Sequence, residues 1–420
     1  MANRLKEDLV EAGKIGREPE RRVEQYDHLE PERGVNRLAC TEANRKLRDY
    51  AVMRMKEAGL EVKIDKIGNI FARKEGIKTS TGSIMCGSHL DSVPNGGQFD
   101  GCLGVFGAIE AIRRMTEDSF DNERPVEVVV FTGEEGPAFG MSLLGSSALV
   151  GKINMAEALG KNNTAGQTLD EALREINYKG DFTRTLEDVE YMVELHIEQG
   201  PVLHKENIPI GIVENIAGIT WLMVTIKGEG NHAGTTPMKM RKDALVTASE
   251  IVSFVNRRAN EIVDKLGSVT VGTVGKLNVF PNGTNSIPAK VEMGIDIRDV
   301  VKENMDSLKS EVVKFINGLG GKYGVDAEIQ MPPLHFPTPL SAEVVNIIEQ
   351  SAKQVGIQTK RMNSGAGHDS QNMAEKVKTG MIFVPSVNGI SHSPMEWTEW
   401  EDIETGVHVL TQTLKNLSKT

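Results

Sequence analysis

Five short segments of this chain close or follow apolar, strand-like runs, and each carries a side chain able to hold a divalent metal. They are His89 in GSHLDSV, Asp100 in QFDGCLG, Glu135 in FTGEEG, His196 in ELHIEQG and His392 in ISHSP. Residues so far apart can share an ion only if their strands lie in one sheet, whose carboxyl ends form a crevice where loops converge. SIMCGS (Ser83 to Ser88) and VEVVVF (Val126 to Phe131) are short, apolar and β-branched, as buried strands of a mixed or parallel sheet are. YMVELHI (Tyr191 to Ile197) and MIFVPS (Met381 to Ser386) repeat the arrangement, with His196 within or at the end of one strand and His392 in the loop after the other. Before them, Leu47, Tyr50, Ala51 and Met55 mark a helix between Thr41 and Gly59, and EVKIDKIGNIFARKEG alternates as strands do.

Between His196 and His392 the pattern changes. From Ile216 to Met331 a strand (ITWLMVTIKG), a long amphipathic helix, two strands (SVTVGTVGKL and AKVEMGIDIR), a second helix and a last strand (VDAEIQM) follow one another. That β-α-β-β-α-β order predicts a ferredoxin-like unit. The expected division is therefore a catalytic domain of residues 1–215 and 332–420, interrupted by an inserted domain of residues 216–331. A chain of 420 residues is long enough for both.

A formal charge of −11 with no cluster of Lys and Arg argues against nucleic acid as a partner and favours a small-molecule substrate. The amino terminus is charged throughout and no apolar stretch has membrane-spanning length, so no membrane association and a cytoplasmic location are expected. Three cysteines, Cys40, Cys86 and Cys102, form neither a disulfide framework nor a thiolate zinc pattern. Cys86 and Cys102 flank the site in sequence, but their apolar or glycine-rich settings suit packing better than nucleophilic catalysis.

A single histidine is more often a hydrogen-bonded structural residue than a ligand, so the weight lies on the joint pattern. Two imidazoles and a carboxylate can hold one divalent ion, and a second set sharing one carboxylate can hold a neighbour. Asp91, two positions after His89, is placed to accept the proton on the non-ligating ring nitrogen and fix its tautomer. Glu134, adjacent to Glu135, is placed to take a proton from the attacking water.

Together GSHLDSV, FDGCLG, TGEEG, HIEQG and SHSP resemble the dinuclear metal-dependent aminoacylase and carboxypeptidase superfamily over nearly the whole chain. HIEQGPVL, NHAGTTPM, NGTNSIP, IDIRD and SGAGHDSQNMA resemble its branch of N-carbamoyl-L-amino-acid hydrolases, allantoate amidohydrolases and β-ureidopropionases. Peptidase relatives usually place a carboxylate where this chain has His196, so the resemblance implies ureido-amide hydrolysis rather than peptide cleavage. It implies an α/β fold: a mixed-sheet metallohydrolase domain with an inserted ferredoxin-like lid or dimerisation domain. It also implies two divalent ions per subunit, of zinc, manganese, cobalt or nickel, for which His, Asp and Glu are suitable donors. His89, Asp100 and His196 would hold one ion and Asp100, Glu135 and His392 the other, with Glu134 as general base and Asp91 in support. His232 would donate to the oxyanion, in relatives often from the partner subunit of a homodimer. Arg298 and Asn285 would hold a substrate carboxylate, the alternative for Arg298 being a structural ion pair with Asp296 or Asp299. Gln199 would contact the ureido end, and Gly367 and His368 of SGAGHD would approach substrate. A catalytically silent binding module would be marked by loss of a ligand or of the base, and each is present.

Overall fold

The computed structural model describes residues 2–78, 82–332 and 335–420. The chain divides into two compact units, Met1–Glu214 with Pro339–Thr420, and Asn215–Thr338.

The first unit is built on a nine-stranded mixed sheet. Its order is Glu61–Ile64, Ile70–Lys74, Val126–Phe131, Ser83–His89, Val189–Ile197, Lys378–Val384, Ile210–Ile216 and Thr338–Pro339, with Thr359–Ser364 also pairing Ile210–Ile216. Val126–Phe131, Ser83–His89, Val189–Ile197 and Lys378–Val384 run parallel to one another. Their carboxyl ends therefore share one edge. Ser83–His89 and Val126–Phe131 are buried at every position, which is why they read as continuous apolar runs rather than alternating ones. The helix Cys102–Glu117 lies close against this centre, because a Cβ at Gly104 would fall 2.6 Å from the carbonyl oxygen of Leu195 and 2.6 Å from Cβ of Ser88. The helix expected near Thr41 spans Glu42–Glu57, with Thr41 capping it by accepting from the Asn44 N–H. Leu47, Ala51 and Met55 are buried on its inner face, while the Tyr50 hydroxyl donates to Asp8 at 2.9 Å.

The second unit has the antiparallel strand order Asp326–Gln330, Gly218–Lys227, Lys290–Asp299, Val271–Phe280. The helices Ala244–Leu266 and Lys302–Tyr323 complete the β-α-β-β-α-β order, and their apolar faces share a core with Leu222, Val224, Ile226, Val291, Met293 and Ile295. Phe254 and Phe315 stack between them with ring centroids 4.0 Å apart. The chain returns to the first unit at Pro339 rather than near residue 332, because His335 exchanges two main-chain hydrogen bonds with Ile219 and stays with the second unit's first strand. Pro333 and Leu334, beside the expected boundary, lie outside the described residues.

Candidate metal centre

The five expected ligands stand at the shared carboxyl edge of the parallel strands or in the loops that leave it. His89 ends its strand, Glu134 and Glu135 follow Phe131, His196 is the penultimate residue of its strand, and His392 lies beyond Val384. Asp100 precedes the helix Cys102–Glu117, behind a Gly101 whose φ of 64° and contact with the His89 ring leave no room for a side chain.

Asp100 is central. Its Oδ1 is 3.3 Å from Nε2 of His89 and 3.3 Å from Nε2 of His196, while its Oδ2 faces Nε2 of His392 at 3.4 Å. Glu135 Oε2 is 3.3 Å from the same nitrogen of His392. Two donor sets follow, His89 with Asp100 and His196, and Asp100 with Glu135 and His392, each with its ligand atoms within 4.8 Å of one another. The His89 and His196 rings each place Nδ1 against a main-chain carbonyl, of Asp91 at 3.0 Å and of Ile197 at 2.9 Å. Those contacts hold a proton on Nδ1, so Nε2 is the nitrogen each ring offers beside Asp100. Among the described residues Nε2 of His196 is buried without a hydrogen-bond partner, as an imidazole prepared for a cation would be.

The charge balance fits the same conclusion. Burial would push Asp100 up, but the imidazoles of His196, His392 and His89 hold it well below the usual carboxylate range. Burial pushes Glu134 well above that range, and burial with the nearby Asp100 charge pushes Glu135 up to about 8. So many carboxylates cannot all ionise side by side without added positive charge, which divalent ions supply.

Glu134 Oε2 lies 3.7 Å from Nε2 of His89, and a carboxylate oxygen of Glu134 lies within 4.8 Å of one of Glu135, so Glu134 borders both donor sets. Asp91 differs from expectation. Its carboxylate is 3.9 Å from the His89 ring, which is held by the Asp91 main-chain carbonyl instead. The carboxylate turns to accept from the N–H groups of Glu134 (3.3 Å) and Glu135 (3.2 Å), fixing the turn that presents both. Gln199, at φ 57°, sends its Nε2 to Asp100 Oδ2 at 2.7 Å, while its buried Oε1 has no partner among the described residues. His368 is buried and is not open to substrate as expected: its ring packs edge-on against His196 at 4.6 Å and its Nε2 meets the Ser364 hydroxyl at 2.9 Å. Gly367 is half-buried in the loop just before it.

His232, Asn285 and Arg298 belong to the second unit. His232 and Asn285 meet on a two-stranded ribbon, Asn231–His232 against Ser286–Ile287, with Ala233 N–H donating to the Asn285 carbonyl at 2.9 Å. Nδ1 of the exposed His232 accepts from the N–H groups of Gly234 and Thr235, so the neutral ring carries its proton on Nε2 as an outward donor. Arg298, on Lys290–Asp299, forks the carboxylate of Asp296 at 2.9 and 3.0 Å. Cys86 and Cys102 are buried and burial pushes both thiols up, against a thiolate nucleophile.

Two supporting carboxylates escaped the sequence reading. Glu194, two positions before His196 on the same face of its strand, accepts from the hydroxyls of Ser88 at 2.7 Å and Ser370 at 2.6 Å. It thus ties three elements together, and although it lies near His196 and His368 its oxygens are already engaged. Glu396, four residues after His392, is the other.

A mixed sheet with overlapping His and carboxylate donor sets at the carboxyl ends of its parallel strands defines a hydrolase of the metallopeptidase-like class. The chain belongs to peptidase family M20/M25/M40, whose sequence profile matches residues 85–416. It is 41% identical over 389 residues to the N-carbamoyl-L-amino-acid amidohydrolase of Pseudomonas sp. (strain NS671), covering 91% of this chain and 93% of that one. It is 36% identical over 387 residues to the allantoate amidohydrolase of Bacillus subtilis (strain 168), covering 92% and 93%. A crystal structure of an amidase of the hydantoinase/carbamoylase family from Burkholderia multivorans superposes with a TM-score of 0.90 at 33% identity, covering 100% of this chain and 98% of that one. These relatives are amidohydrolases, acting on carbon–nitrogen bonds other than peptide bonds.

Proposed function

We propose that this chain hydrolyses the ureido amide of N-carbamoyl-L-amino acids to the L-amino acid, carbon dioxide and ammonia. The observation that carries the reading is the pair of donor sets sharing Asp100, in a chain 41% identical to an N-carbamoyl-L-amino-acid amidohydrolase. His89, Asp100 and His196 would hold one divalent ion and Asp100, Glu135 and His392 a second; zinc, manganese, cobalt and nickel all suit these donors. When bound, the ions acidify water and polarise a ureido carbonyl that its two nitrogens deactivate.

Glu134 takes the proton from the attacking water and returns it to the departing nitrogen, so that ammonia leaves and the carbamate decomposes to carbon dioxide and the amine. A carboxyl whose burial raises its proton affinity suits both halves of that transfer. Asp91 keeps Glu134 aimed by holding its N–H. Gln199 binds the ureido end, and His232 donates from Nε2 to the developing oxyanion. Asn285 and Arg298 hold the substrate carboxylate, and Arg298 must exchange Asp296 for it. Since these groups belong to the second unit, we propose that it acts as a lid and dimerisation domain of a cytoplasmic homodimer.

Metal content of protein purified without chelator, with ammonia release from a panel of ureido acids, tests the reading. Two ions per chain and release from N-carbamoyl-L-amino acids are expected. Asp100→Ala should lose both ions and turnover, whereas Glu134→Gln should keep the ions and lose at least about a hundredfold in rate. Loss of metal from Glu134→Gln would make Glu134 a ligand and overturn the assignment of the pair. The 36% identity to an allantoate amidohydrolase favours allantoate as the second reading, and faster ammonia release from it would replace the first.

A further inference from the structure

Glu396 is fully buried, yet nothing in the chemistry above uses it. Its Oε1 accepts two main-chain N–H groups, from Phe99 at 3.0 Å and from Asp100 at 3.1 Å. Its Oε2 accepts the hydroxyl of Ser391, the residue before His392, at 2.8 Å. One carboxylate thus spans the segment that carries the shared ligand and the loop that carries the most exposed one. The His392 side chain is 51% exposed and its backbone holds a φ of 52°, a conformation that neighbouring bonds must enforce in a residue other than glycine. Space for this carboxylate is reserved: a Cβ at Gly97 would lie 2.0 Å from it.

We infer that Glu396 is the positioning residue of the second ion site. It fixes the main chain of Asp100 against the 391–396 loop, so that Asp100 Oδ2, Glu135 and His392 converge on one point. His89 and His196 are held by strands, so the first set depends on Glu396 through Asp100 alone, whereas the second depends on it through both Asp100 and the His392 loop. The inference rests on the two-ion reading and adds a residue to it.

Calorimetric titration of metal-stripped protein with zinc, alongside thermal melting, tests it. Wild-type protein should show two tight sites. Glu396→Ala should weaken the second site by roughly ten- to a hundredfold, the usual scale for groups that orient a ligand, and the first site by less. Glu396→Gln should restore the second site, since its amide oxygen can accept both N–H groups and its NH2 can reach the Ser391 oxygen. Should Glu396→Ala fail to fold, Glu396→Asp decides: it withdraws the carboxylate by one methylene from Phe99, Asp100 and Ser391, leaves in place the Ser391 hydroxyl that also lies 3.3 Å from Asp100 Oδ2, and should also weaken the second site. Two sites as tight as wild type in folded Glu396→Ala, or in Glu396→Asp, would overturn the role assigned to Glu396. Fewer than two sites in wild-type protein would instead sink the two-ion reading itself.

Discussion

His392 and Glu135 differ from the other ligands in what they must give up to bind metal. Without an ion, the contact with Asp100 raises His392 to about 9 against the opposing effect of burial, and Glu135 is pushed up to about 8. Both therefore hold protons near neutral pH, and a cation can enter only by displacing them. The sign follows: affinity for the ion shared by Asp100, Glu135 and His392 should rise with pH and level off above about 9, once the proton on His392 is gone. Calorimetry at neutral pH in buffers of different ionisation enthalpy should show proton release on binding. A binding heat independent of the buffer would contradict it. At this scale the sequence was most readable where chemistry restricts residue type, because only a few side chains bind metal and they stand at strand ends. Glu396 was not readable for the converse reason: two of its three partners are main-chain N–H groups 296 and 297 positions earlier, and a main-chain partner leaves no mark on residue identity. Asp91 shows the same blindness, since its carbonyl holds His89 where its carboxylate was expected to.

The helix Cys102–Glu117 decides how closely Asp100 approaches the strands bearing His89 and His196. Its contact with them is made through glycine, so Gly104→Ala should force the helix outward against Leu195 and Ser88. A cost of about 1–3 kcal/mol, the usual range for overpacking, is expected as a lower melting temperature, together with weaker metal binding. Gly318→Ala is the control: no atom lies within 4 Å of its added Cβ, and removing a glycine from the middle of Lys302–Tyr323 should leave stability equal or raised by up to about 1 kcal/mol. Equal melting temperatures for the two variants would show that the helix tolerates displacement. The long elements were readable from periodicity, and the parallel strands from their continuous apolar runs. The Asn231–His232 and Ser286–Ile287 ribbon was not, because two residues a side are too few to display a period, although it carries His232.

For the whole molecule, the question is whether one chain supplies every group its chemistry needs. If His232 serves the site of a neighbouring subunit, inactive His232→Ala and inactive Glu134→Gln proteins should recover part of the activity when mixed and allowed to exchange. Some dimers would then own one site with both residues intact. No recovery despite demonstrated exchange would assign His232 to its own chain. The order of elements along the chain predicts an insertion over Ile216–Met331, and the second compact unit runs from Asn215 to Thr338; its far edge left no mark in the sequence because the bonds between Ile219 and His335 join residues in no repeating pattern.

The points of departure and return carry a consequence for how such a chain can be cut and rejoined. Chain leaves the first unit after Glu214 and re-enters at Pro339, and the Leu340 N–H donates to the Glu214 carbonyl at 2.8 Å. The two ends of the excursion are hydrogen-bonded neighbours, so a short turn joining them would excise the second unit without stretching the sheet. A chain shortened in this way should be monomeric where the full chain is a dimer, and should take up zinc while releasing no ammonia, since His232 is gone. Failure of the shortened chain to fold would show that the two units are not separable pieces.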